Sequence, residues 1–177
     1  GREFIRRQCD LDRFVGSPSV VRRTAAQKAA GYYRKELPFT DDFEMWLRLA
    51  LHGDVALTDT IQAVRRRHGR QVTEGYRARP HHMFREVLAA FECFFENDGR
   101  VLPDARALLR DVRRRMGRSA LYNGRSMAGD REGAALLRLA LELTPTFALP
   151  RIARHLLGAE RPLAELRLLM DARAAGP

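Results

Sequence analysis

The sequence predicts an α/β segment with a few short strands over residues 1–78, followed by an all-α extension over 79–177, a chain mostly helical overall. Three observations predict this. Before residue 78, short apolar runs alternate with turn residues, as short strands do. From residue 80, apolar residues recur at helical spacing almost to the end. Within the first half, "TDDFEMWLRLALHG" is periodic: Phe43, Trp46, Leu47, Ala50 and Leu51 fall at i, i+3, i+4, i+7 and i+8 and make one apolar stripe.

The elements follow in order. "SPSVVRR" has the β-branched character of a strand, and "RTAAQKAAGYY" reads as a short helix that Gly31 ends. The helix opened by Asp41 stops at Gly53, a residue suited to a C-terminal cap. "DVALTD" and "IQAVRRRH" read as two short strands flanking a turn. In the extension, Phe84, Val87, Leu88, Phe91, Phe94 and Phe95 form an aromatic helix face closed by "ENDGR". Ala105, Leu108, Leu109, Val112 and Met116 mark the next helix, with Pro103 in its first turn. Asp130 is the N-cap of a helix that ends at Thr144-Pro145, and shorter helices follow around 152–157 and 163–170, near Pro150 and Pro162. One hairpin-like arm of this kind does not make a repeat array.

Composition bounds the function. The apolar fraction of 45% with 31% charged residues is that of a folded, soluble chain, and no run approaches the roughly 18 apolar residues of a membrane helix. Cys9 and Cys93 stand far apart, which fits a reducing cytoplasm and supplies neither a disulfide framework nor a zinc site. The net charge is +10 and, apart from Lys28 and Lys35, entirely arginine. Such a charge favours anionic partners in general, whether nucleotide phosphates, acidic lipid or nucleic acid.

The adjacent carboxylates Asp41 and Asp42 have two readings. Asp41 with Glu44 has capping-box spacing, and Asp42 in the first turn complements the helix dipole. Flanked by Phe39, Phe43 and Trp46, the pair is also expected to be partly desolvated, which raises a carboxylate's proton affinity and suits a general base.

The stretch from "SPSVVRR" to "RRRHGRQVT" resembles the second half of the catalytic domain of family 2 glycosyltransferases, which have the GT-A fold. Arg22-Arg23, Gly31, Asp41-Asp42, Trp46-Leu47-Arg48, and Arg66 with His68 stand in the order of that family's motifs. Asp41 stands where Glu is commoner, Tyr32 replaces a second glycine, and Arg65 replaces an aromatic residue. The likeness spans about residues 14–75.

The resemblance implies an inverting transfer from a nucleotide sugar to an acceptor hydroxyl. Asp42 would be the base, and Asp41 would orient it or touch the acceptor. Trp46 and Arg48 would contact the acceptor, although a tryptophan on such a stripe is more often core. Arg66 and His68 would lie by the donor diphosphate, where a fixed cation stabilises the leaving group. His68 is also a candidate metal ligand, and the divalent cation implied (Mg or Mn) would belong to the intact enzyme. Asp10-Leu11-Asp12 is rejected as the family's Asp-x-Asp motif because "EFIRRQC" is no apolar strand, and no glycine-rich phosphate loop is found. The donor-binding half is therefore expected to be missing from this chain, leaving it inactive alone.

Other clusters are read more plainly. His81-His82 point in different directions on a helix and form a solvated pair. "RDVRRRMGR" is a solvated face, with acidic lipid as its second reading, so the expected location is the cytoplasm, with peripheral contact at the inner membrane face. The alternative function is a non-catalytic basic helical module that binds a polyanion or a partner protein. Against nucleic acid, no aromatic residues interleave the basic runs.

Overall fold

A computed structural model describes residues 1–11, 15–66, 68–158 and 162–171. Among these residues every regular element is helical. The helices are α1 (Arg2–Cys9), α2 (Thr24–Ala30), α3 (Asp41–Leu49), α4 (Val72–Arg77), α5 (Pro80–Glu96), α6 (Ala105–Ser126), α7 (Arg131–Leu143), α8 (Pro145–Leu157) and α9 (Pro162–Asp171).

The expectation of an α/β segment of GT-A type is thereby overturned: the described residues contain no strand and no sheet. In "SPSVVRR" the first three residues form a 3-10 turn, with the Ser19 hydroxyl donating to Gly16 O at 2.8 Å. Val20 and Arg23 do take extended dihedrals, but no second strand pairs with them. Residues 54–66 are likewise non-helical and unpaired, and Val55, Leu57, Ile61 and Val64 are exposed. The physical reason is that β propensity is local while a strand is not. Its backbone groups need a neighbouring ladder, and an isolated pair of strands is marginal in water.

The described packing falls into two compact units, Gly1–Glu74 with Glu86–Val112, and Gly75–Arg85 with Arg113–Pro177. In the first, α2 packs on α3, and Ala30, Met45 and Trp46 form a small core joined by Phe4, Val15, Val20 and Leu49. A second apolar centre is aromatic. Phe43 meets Phe91 edge-on at 5.0 Å, and Phe94 meets Phe95 the same way at 5.0 Å, contacts that add to simple burial. On the surface, Arg6 and Arg2 both reach Asp104, at 2.7 and 3.2 Å. Arg6, the nearer, does most to hold that carboxyl below its usual range, against the opposing effect of burial.

The second unit is built on close backbone approach. A Cβ added at Gly133 would lie 2.1 Å from Met127 O, and one at Gly124 would lie 2.9 Å from Gly133 O, so side chains at either position would push α6 and α7 apart. Asp130 caps α7 as expected, accepting from Glu132 N at 3.1 Å. Pro145 occupies the first turn of α8, where its missing N–H costs nothing, so the helix starts earlier than Pro150 suggested and carries Pro150 inside it. α7, α8 and α9 pack on one another. His155 Nε2 faces Glu165 Oε2 at 3.2 Å between α8 and α9, and Arg138 Nη1 donates to Leu169 O at 3.1 Å.

Candidate active site

The acidic pair does open a helix. Thr40 is the N-cap residue, and its carbonyl accepts from Glu44 N at 3.0 Å. Its hydroxyl donates to Glu86 O at 3.1 Å, which ties the start of α3 to α5. The capping box expected between Asp41 and Glu44 does not form. Asp41 Oδ1 instead accepts from Asp42 N at 2.9 Å, and Glu44 turns inward, where it is fully buried.

Burial of Glu44 organises the packing of α3 against the end of α2. Arg48, one turn on, is also buried, and its Nε donates to Oε1 and Oε2 of Glu44 at 2.9 Å each. Arg34 Nε reaches the same carboxylate at 2.9 Å. The rest of the Arg48 guanidinium donates to Ala30 O and, at 2.8 Å, to Tyr32 O. One side chain thus fastens the end of α2 and the following turn to α3. Gly31 permits that turn, with φ at +86° and ψ at −158°, a region essentially reserved for glycine. Arg34 also pairs with Asp98. Unpaired, a buried carboxylate would be very costly, and three guanidinium contacts offset that cost.

Asp42 lies half-buried in the first turn of α3, on the opposite side of the helix from Glu44 and Arg48. Its Oδ1 accepts from Phe43 N at 2.6 Å, and its Oδ2 accepts from the Ser17 hydroxyl. Trp46 lies one turn further along the same helix face, and the Arg22 guanidinium sits 5.5 Å from its ring centre and 5.8 Å from that of Tyr33. Among the described residues the buried Trp46 Nε1–H finds no hydrogen-bond partner.

The predicted site residues are therefore only partly gathered. Asp41, Asp42, Trp46 and Arg48 share α3. Trp46, at 5% exposure, and Arg48, at 3%, face inward, so neither is presented to an acceptor as the resemblance implied. Arg66 and His68 are exposed on non-helical chain, and among the described residues no hydrogen bond or ion pair joins them to the acidic pair. Among those residues no group of three or more His, Cys, Asp or Glu side chains gathers as a metal site. Among the described residues His68 belongs to no such group. Asp12 lies outside the described residues. The His81 and His82 rings meet edge-on at 5.6 Å, with His82 exposed and Arg85 Nε donating to His81 Nε2 at 3.4 Å.

Sequence reading missed Ser17, Arg34 and the inward role of Glu44. The Glu44–Arg48 pair was visible as an i, i+4 pair of opposite charge in its favoured order. Ser17 and Arg34 carried no local signal.

Comparison with family models, with curated proteins and with solved structures finds no match to this chain.

Proposed function

We propose that the chain is part of an inverting glycosyltransferase that moves a sugar from a nucleotide-sugar donor to an acceptor hydroxyl, with Asp42 as general base and the donor held by residues outside these 177. One observation carries the reading beside the order of the sequence motifs. The half-buried Asp42 carboxylate, held at a helix start, already accepts a hydrogen bond from an aliphatic hydroxyl, that of Ser17. A base makes this same interaction with the hydroxyl it deprotonates.

In the reaction, Oδ2 of Asp42 takes the proton as the acceptor oxygen attacks the anomeric carbon. The bond from that carbon to the diphosphate breaks with its electron pair leaving on the nucleotide, and the configuration inverts. Asp41, accepting from the Asp42 amide, fixes the first turn. Arg48 and Glu44 are positioning residues that act through the backbone of α3.

The test is nucleotide release. The full-length protein carrying this chain, offered a panel of UDP- and GDP-sugars with saccharide acceptors, should liberate the nucleoside diphosphate from at least one donor. Release from none removes the reading. The 177-residue chain alone should show no tight calorimetric binding of UDP or GDP with Mg, and tight binding would contradict the assignment of the donor to residues elsewhere.

A further inference from the structure

The chain's positive charge is not spread evenly. In the first unit, seventeen Lys and Arg face sixteen Asp and Glu, while in the second fifteen Arg face only six acidic residues. Nearly all of the net +10 therefore belongs to the second unit. It has no lysine and is thus wholly arginine-basic.

The same unit exposes aliphatic side chains on two neighbouring helices. On α8, Leu149 and Leu157 are 61% and 88% exposed and lie two turns apart in one row, with exposed Arg154 on its flank. On α9, Leu163, Leu166 and Met170 are 74%, 40% and 65% exposed, and Arg167 lies on the same arc, with exposed Asp171 one turn beyond it. Leu163, Leu166, Arg167 and Met170 fall at i, i+3, i+4 and i+7, the spacing of a single helix face. α8 and α9 pack together through their other faces, with Ile152 of α8 buried.

Leucine and methionine rows bordered by arginine are the composition of a helix that lies in a bilayer interface. The apolar row enters the acyl boundary, and the guanidinium groups meet phosphate. A nucleic-acid surface would call for aromatic platforms among the basic residues, and here the exposed large side chains of α8 and α9 are aliphatic. No helix among the described residues is long and apolar enough to cross a membrane, so the contact is with the surface. We infer that the exposed faces of α8 and α9 dock the protein on an anionic phospholipid bilayer. This stands independently of the chemistry at Asp42.

The test is co-sedimentation of the 177-residue chain with vesicles of phosphatidylcholine alone and of phosphatidylcholine with phosphatidylglycerol in equal parts. Binding should require phosphatidylglycerol and weaken with salt. Arg154→Glu with Arg167→Glu should cost at least about fivefold per residue. Leu157→Ser with Leu163→Ser, which leaves the charge unchanged and alters only exposed side chains, should cut vesicle affinity more than tenfold without altering the circular dichroism spectrum. Failure to bind the mixed vesicles overturns the inference. So does unchanged vesicle binding by the serine pair, which would mark plain polyanion adhesion, as would duplex DNA bound as tightly as the vesicles. A concentration-dependent dimer that the serine pair abolishes, with no vesicle binding, would assign the surface to a second copy of the chain and overturn it equally.

Discussion

Glu44 and Arg48 meet at 2.9 Å, one turn apart on α3, with both side chains withdrawn from water. The pair decides how the acidic start of α3 is held, because the same guanidinium also fastens Ala30 and Tyr32. Losing Arg48 removes two of the three hydrogen bonds that hold the buried Glu44 carboxylate and leaves it Arg34 alone. Arg48→Ala should therefore destabilise the fold by about 3–5 kcal/mol in urea titrations followed by circular dichroism. A loss below about 1 kcal/mol, the worth of an exposed pair, would show that the network does not hold α3 against α2.

Gly31 sets the turn that delivers Tyr32 O to Arg48. A Cβ there would meet Arg48 Nη1 only at an ordinary 3.6 Å, so space is not the problem, and the strain lies in φ at +86°. Gly31→Ala should cost about 1–3 kcal/mol by the same titration. An unaltered midpoint would mean that the turn relaxes freely and does not hold α2 to α3.

His81 supplies a pH dependence. Its pKa is lowered, first by burial and then by the Arg85 charge, so the folded chain binds fewer protons there than the unfolded chain. Stability from this group is fully present above the ordinary histidine pKa and is lost as pH falls through that value and below it. Between about pH 8 and about pH 5, the wild-type urea midpoint should drop more than that of His81→Gln. Parallel curves for the two proteins would remove His81 as the cause.

The helices were the legible part, because their signals are local. The stripe of Phe43, Trp46, Leu47 and Ala50 is buried as its spacing implies, and Asp130 caps α7 by its own side chain. The absence of strands among the described residues was not legible. Val20, Val55 and Ile61 advertise extended backbone, but pairing depends on a neighbour that no local pattern can specify. At the site, the place of Asp42 in the first turn could be read, whereas its partner Ser17, 25 residues earlier, could not. Glu44 was misread because one spacing, three from Asp41 and four from Arg48, fits both a capping box and an ion pair. Burial decided for the ion pair.

The central claim is that Asp42, and not its neighbour, takes the acceptor's proton. The most direct measurement is nucleoside diphosphate release by the full-length protein with Asp42→Asn and with Asp41→Asn, both shown to be folded by circular dichroism. The account predicts a loss of roughly 100- to 10,000-fold for Asp42→Asn, the scale of general-base catalysis, and a clearly smaller loss for Asp41→Asn. Equal residual activity in the two variants would contradict it.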